Sequence, residues 1–329
     1  MFGRFIPLSL PLLWLPWLCL SQAPAAVLRI ELSERTDVVG GKPFGAAGPY
    51  ERLAGTAYFA VDPALAANRI VTDIAKAPRN EKGLVEFHSD VYVLKPRDPA
   101  RGNGAVLYEV SNRGRKGMLS LFNRGRSSLT PTAGEDFGDG FLMEQGYTLV
   151  WLGWQFDPPR TEHLMRLHAP VARGIAGLVR SEFVADRKEF TRSLADRDHV
   201  PYAVAEPNDP KLALTVRDRH DGARRPVPRS QWKIVEGTHV SMASGFEPGK
   251  IYEIVYTARD PAVVGLGPAA IRDLISFLKY GDNKVSALGD QMRFIKRAYG
   301  FGTSQSGRFL RTFLYYGFNQ DEKGRKVFD

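Results

Sequence analysis

Cysteine is nearly absent from this chain of 329 residues: Cys19 is the single one. It falls in a leader-like first segment, so the remainder of the chain has no disulfide, no thiol nucleophile and no thiolate metal site. Histidine is also scarce, with six residues at positions 88, 163, 168, 199, 220 and 239. No H-E-x-x-H occurs, and His163 and His168 in "HLMRLH" stand five apart, which is not one face of a helix. That spacing excludes the zinc site of a helical metalloprotease. There is no Gly-rich loop followed by Lys and Ser or Thr, and no dinucleotide fingerprint. No metal or cofactor is expected. Long uninterrupted apolar runs are missing too. The stretch Phe5–Leu20 is broken by Pro7, Pro11 and Pro16 and is short for a span, so no stable membrane insertion is expected. No internal repeat at a solenoid period is visible.

What is present is a globular composition, 43% apolar with 32 glycines and 22 prolines, enough for one large core or two. The first segment has a charge at Arg4, an apolar stretch and "APA" at 23–25, the three parts of a secretory signal peptide. Cleavage is expected after Ala25, which places the mature chain in the periplasm or outside the cell. The formal charge is +9, but "SNRGRKG" and "RHDGARRPVPR" are broken by Gly, Pro and Asp. No aromatic residues interleave with them, so a solvated face is expected rather than a nucleic-acid groove.

Patterning divides the rest. Residues 26–100 are β-rich, with "VLRIEL", "GTAYFAV" ended by Asp62-Pro63, and "GLVEFHSDVYVLKP" ended by Pro96, while "GGKPFGAAGPYE" reads as a loop. Residues 101–329 read as an α/β unit. The near-continuous apolar strand "GAVLYEV" and the strand Tyr147 to Leu152 suggest a sheet covered on both faces. Trp151 and Trp154 flank the second strand's end as core or pocket wall. From about 174 to 256 short strands return, as "LALTVRD", "WKIVEG" and "IYEIVYTA", either as an insertion or as an extension of the first β region. "GPAAIRDLISFLKYG" predicts a helix with Ile271, Leu274, Ile275 and Leu278 on one face, ended by Gly281. A second helical pattern covers "VSALGDQMRFIKRA".

The stretch "AYGFGTSQSGRFLRTFLYYGFN" carries the chemistry. Gly302-Thr303-Ser304-Gln305-Ser306-Gly307 approximates G-x-S-x-G, with Ser306 in place of the second glycine. "AYGFG" reads as a short strand, and Phe309, Leu310, Phe313 and Leu314 give one apolar helix face that Gly317 would end. Strand, sharp turn and helix set Ser304 as a candidate nucleophile. The Gln305 peptide N–H then points at a developing oxyanion. A second donor is expected from the loop after "GAVLYEV", from the backbone of Ser111, Asn112 or Arg113, with Gly114 permitting close approach. Asn112 or Arg113 instead binding substrate or shaping the loop is the other reading. The bland alternative for the whole stretch is a helix capped by Thr303, Ser304 or Ser306.

The motifs "GPYERLAGTAYFAVDP", "YEVSNRGRKG" and above all "FGTSQSGRFLRTFLYYGFNQDEKGRKVFD" resemble the α/β-hydrolase superfamily, and within it a bacterial family of alpha/beta hydrolase domain-containing proteins. The resemblance implies a serine hydrolase acting on an ester or related small acyl substrate through Ser304. In this superfamily the triad takes the order Ser, acid, His. Only Asp321, Glu322 and Asp329 come after Ser304 as acids, and no histidine does. The expectation is an α/β-hydrolase sheet that is incomplete at its C-terminal side, its acid and histidine lying beyond Asp329. A secreted β-rich binding or cell-surface module is the rival from another class.

Overall fold

The structure is a computed structural model that describes residues 26–197, 199–281, 288 and 293–329. The segment read as a signal peptide, residues 1–25, lies outside those residues. So does half of the second helical pattern, whose last two residues, Arg297 and Ala298, are strand.

The chain opens with three long or paired strands, β1 (Val27–Asp37), β2 (Pro43–Phe44) and β3 (Gly48–Val61), then β4 (Val85–Pro96). β3 starts at Gly48, so the end of the supposed loop "GGKPFGAAGPYE" is already strand. β5 (Ala105–Val110) leads through short helices α1 (Met118–Phe122), α2 (Gly134–Phe137) and α3 (Phe141–Glu144) to β6 (Thr148–Leu152) and β7 (Leu167–His168). Seven more strands come next: β8 (Ala176–Val184), β9 (Glu189–Ser193), β10 (Ala213–Arg217), β11 (Arg225–Pro226), β12 (Trp232–Val235), β13 (His239–Phe246) and β14 (Ile251–Arg259). α4 (Leu266–Tyr280), β15 (Arg297–Phe301) and α5 (Gln305–Tyr315) complete the described elements.

One mixed sheet organises the molecule in the order β1-β3-β4-β6-β5-β15, with β2 on β3 and β7 on β4. The pairs from β1 to β6 are antiparallel, whereas β6, β5 and β15 run parallel. Side chains alternate between the two faces of a strand. Thus Val106, Tyr108 and Val110 of β5 join one core with α4 and the buried Phe309 and Phe313 of α5. Leu107 packs instead against a second core built from Met118, Leu119, Phe137 and Leu142 on α1–α3. β6 alternates likewise, with Val150 and Leu152 on one side and Leu149 and Trp151 on the other. Helices on both faces explain why these two strands read as nearly continuous apolar runs.

The strands from β8 to β14 form separate sheets, β11-β10-β14-β8 and β12-β13-β9. They enclose a core of their own around Trp232, Phe246, Tyr252 and Ile254. This is an elaboration between β6 and α4, not a continuation of the first strands.

α4 is more deeply buried than a one-faced pattern implies. Besides Ile271, Leu274, Ile275 and Leu278, it buries Arg272 and Asp273. The Arg272 guanidinium bonds Asp273 at 2.6 Å and 3.0 Å, the Ala67 carbonyl at 2.9 Å and Asn68 Oδ1 at 2.7 Å, with Glu322 at 3.6 Å. Burial raises the Asp273 carboxyl to about 6 even with Arg272 beside it.

Candidate active site

Ligands in open parallel sheets bind outside the carboxyl ends of the strands. Here the neighbours β6, β5 and β15 end on the same side, continuing into Gly153–Asp157, Ser111–Gly117 and Gly302–Ser304. The candidate nucleophile and the candidate oxyanion loop thus leave adjacent strands, paired from Arg297 with Ala105 to Phe301 with Glu109.

Ser304 stands between β15 and α5 with φ 53° and ψ −116°. A positive φ at a non-glycine residue is costly and persists only where the surroundings impose it. What imposes it is the close approach of the turn to itself. A Cβ on Gly302 would lie 2.7 Å from the carbonyl carbon and oxygen of Ser306, and one on Gly307 would lie 3.0 Å from the Gly302 oxygen. The need for glycine therefore falls on 302 and 307. Ser306 fits between them, fully buried, with a hydroxyl that finds no partner among the described residues. Ser306→Ala is expected to leave thermal stability unchanged or raised, because it removes a buried unsatisfied hydroxyl. Gly302→Ala is expected to cost about 1–3 kcal/mol, since its Cβ would strike backbone. Thermal unfolding of the two variants checks both directions.

The Ser304 side chain is exposed, makes no capping bond to α5 and bonds no described residue. The first turn is held by backbone instead, with Ser306 N–H donating to Thr303 O at 2.9 Å and Arg308 N–H to Ser304 O at 3.1 Å. The Gln305 peptide N–H has no partner among the described residues. α5 ends at Tyr315, before Gly317 at φ 81°. Of its four anticipated core residues, Phe309 and Phe313 are buried, while Leu314 is 58% exposed.

The loop after β5 is tightly fixed. Arg113 and Gly114 have φ 54° and 77°, and a Cβ on Gly114 would lie 2.6 Å from Met165 O, so the close approach occurs here. The Arg113 N–H donates to Gln155 Oε1 at 3.0 Å, so it is not free to face an oxyanion. The Arg113 guanidinium reaches Asp196 at 3.7 Å. The Asn112 carbonyl accepts from Arg115 N–H at 3.1 Å. Below the loop lies Glu109. Its carboxylate accepts the N–H groups of Gly117 (3.0 Å) and Met118 (2.7 Å) and the indole N–H of Trp151. Burial pushes the Glu109 carboxyl upward, opposed by those donors. Glu109→Gln sets an amide against N–H donors and is expected to cost about 1–3 kcal/mol, read by urea denaturation.

Trp154 joins the two loops. Its indole N–H donates to Ser111 O at 2.7 Å, and its ring lies 4.2 Å from that of Phe309 on α5. Its carbonyl is approached so closely by Gly267 that a Cβ there would lie 2.2 Å away.

Residues 229–329 match the family model of an alpha/beta hydrolase domain. That segment, which runs from β12 through the Ser304 turn to Asp329, is alpha/beta-hydrolase-like. No curated protein and no solved structure matches the chain.

All three acids of the hydrolase-like segment that come after Ser304 are engaged in structure. Asp321 bonds Ser276 and Arg325, Glu322 accepts from Asn68 at 2.7 Å, and Asp329 pairs with Lys279 at 2.9 Å. Asp329 also bonds Ala298 through its N–H (2.8 Å) and its carboxylate (3.0 Å), so the outer edge of β15 is partly covered rather than bare.

One further pair has no signature in the linear sequence. His199 Nδ1 lies 3.2 Å from Asp157 Oδ2, with the His199 side chain only 8% exposed. Its Nε2 is buried and unpartnered among the described residues. The Asp157 carbonyl accepts from Val200 N–H at 2.9 Å, and His199 N–H donates to Asp196, the partner of Arg113. Contact brings these loops together, and residues this far apart in sequence carry no pattern that could announce it. Among the described residues no group of three or more His, Cys, Asp or Glu side chains is placed to hold a metal ion. No described helix is long and apolar enough to cross a membrane.

Proposed function

We propose that this protein is an exported serine hydrolase that cleaves a small ester or related acyl compound. The observation that carries the reading is the backbone of Ser304, held at positive φ on a strand-to-helix turn with its hydroxyl spent on no structural bond. An exposed serine held at φ 53° and ψ −116° that serves as no cap is an outlier of the kind that clusters at functional sites. In the proposed reaction Ser304 Oγ attacks the acyl carbon and its proton passes to a base. The carbonyl oxygen becomes an oxyanion facing the N–H groups of Gln305 and Asn112, and the alkoxide leaves with a proton. Water then attacks the acyl-enzyme, releasing a carboxylate and restoring the serine. Arg113 supports the hole by shaping its loop, since its own amide is engaged. No histidine is hydrogen-bonded to Ser304 among the described residues. His199 is oriented by Asp157 and its Nε2 is buried, and it makes no contact with Ser304 among those described.

Export rests on the leader alone, and intact mass of the secreted product tests it: a mature chain beginning at Ala26 is expected, and retention of Arg4 argues against export by cleavage. The reaction class is tested by a fluorophosphonate probe together with a panel of activated acyl esters. Labelling at Ser304 and turnover of at least one ester are expected. Failure of both would overturn the reading.

A further inference from the structure

On the side of the sheet away from β15, four planar side chains stand in cross-strand register. Arg29 pairs with Tyr58, Tyr58 with His88, and His88 with His168, on the consecutive strands β1, β3, β4 and β7. They follow one another in that order. The Arg29 guanidinium lies 3.7 Å from the Tyr58 ring centre, Tyr58 lies 5.5 Å from His88 with the rings tilted by 31°, and His88 stacks on His168 at 4.3 Å with the rings 11° from parallel. Planar groups stacked along a sheet turn their edges, not their faces, to the space above it. Ring edges carry positive potential, and imidazole edges carry N–H groups.

That space is a cleft of about 930 Å³ between the outer strands and the loops of the β-rich elaboration. Its volume is in the range of sites for organic ligands. Phe156 and Tyr202, with rings 5.6 Å apart, give it an apolar wall, and Tyr256 Oη fixes that wall by donating to the Tyr202 carbonyl at 2.9 Å. Four arginines line it. Arg29 and Arg259 are paired with Glu31 (2.6 Å) and Glu206 (3.2 Å), which do not line the cleft. The guanidinium groups of Arg160 and Arg166 have no carboxylate partner among the described residues, although the Arg166 backbone N–H donates to Asp90 Oδ2 at 2.8 Å, and Arg166 Nε is buried without a hydrogen-bond acceptor. The two lining acids already accept bonds, Glu86 from Asn80 at 2.6 Å and Asp260 from Gly174 N–H at 2.7 Å. A buried donor without an acceptor is costly. A carboxylate entering the cleft would pair with the guanidinium groups of Arg160 and Arg166, while the His168 edge already has Asp90 Oδ1 at 3.6 Å from Nε2.

We propose that this cleft binds an organic carboxylate with a flat apolar body, its charge held by Arg160 and Arg166 and its body lying between the stacked ladder and Phe156–Tyr202. The ladder belongs to β1, β3, β4 and β7 and the facing wall to the segments at residues 156–160 and Tyr202, whereas Ser304 comes after β15 at the opposite end of the strand order. It does not depend on the hydrolase reading.

The test is calorimetric titration of the 329-residue protein with 2-naphthoate and, separately, with 2-naphthalenemethanol, which keeps the rings and lacks the charge. Naphthoate is expected to bind saturably and at least about tenfold more tightly than the alcohol. Arg160→Ala and Arg166→Gln are each expected to weaken naphthoate about tenfold while leaving the alcohol unchanged. Arg160 is exposed, so its variant should fold as the parent does, which its Tm checks. Ser304→Ala is expected to leave naphthoate affinity unaltered. Equal affinity for acid and alcohol, no saturable binding of naphthoate at millimolar concentration, or unchanged affinity in both arginine variants would overturn the proposal. A loss of naphthoate binding in Ser304→Ala would overturn it too, by placing the ligand at the serine.

Discussion

With Ser304 replaced by alanine, fluorophosphonate labelling should vanish and kcat/KM on an activated ester should fall about 10³-fold or more. Stability should change by no more than about 0.5 kcal/mol. The two outcomes go together because the hydroxyl is exposed and bonded to nothing, so its removal takes away chemistry and no structure. Ser304→Gly sharpens the point. Glycine adopts φ 53° without the penalty that serine bears, so this variant should be more stable than wild type by about 1 kcal/mol and just as inactive. A residue whose loss raises Tm and abolishes turnover is retained for reactivity. Wild-type-like turnover in either variant would remove the serine from the mechanism.

The largest loss of stability is expected at Arg272, whose side chain is wholly buried. Arg272→Met should cost about 3–5 kcal/mol, because it leaves Asp273 as an uncompensated buried charge and strips a partner from Asn68 and Glu322. The double change Arg272→Met with Asp273→Leu should recover much of that loss, since both charges are then absent. The effect should depend on pH. Asp273 has its carboxyl raised to about 6 in the folded chain, above the ordinary value of about 4 in the unfolded one. Folding therefore takes up a proton between those values. The contribution is full below about pH 4 and is lost as pH rises through about 6. Removing Arg272 pushes the carboxyl higher still, so the single variant should be less impaired at about pH 5 than at about pH 8. Urea denaturation of the three proteins at both pH values measures this; an equal penalty at both would show that Asp273 does not carry it.

Much of the parallel sheet is legible in the sequence because its residues obey local rules. β5 and β6 announce themselves as apolar runs, and Gly281 and Gly317 mark helix ends through backbone chemistry that acts within a few residues. The Ser304 turn is legible for the same reason, as glycines at fixed offsets from a serine. The illegible part rests on contacts between distant segments. The burial of Arg272 and Asp273 depends on Asn68 and Glu322, neither of which a helical pattern can reveal. Arg113 has the position of an oxyanion donor, yet its amide is taken by Gln155. His199 has an unremarkable sequence setting, yet the fold brings Asp157 within 3.2 Å of it. Leu314 obeys the helical period yet is 58% exposed, while its neighbour Phe313 takes the buried place.

The parallel pairing of Ala105–Glu109 with Arg297–Phe301 has a consequence for the order of events during folding. The elaboration and α4 intervene between those strands, and the elaboration's separate core can collapse on local contacts. Closing so long a loop is entropically expensive and slow compared with forming hairpins such as β1–β3–β4. The scaffold that carries the ladder and the cleft can therefore form early. The turn bearing Ser304 meets its partner loop only when the last strand docks. Reactivity should thus lag behind compactness in refolding, and a partly folded chain should be compact yet chemically silent.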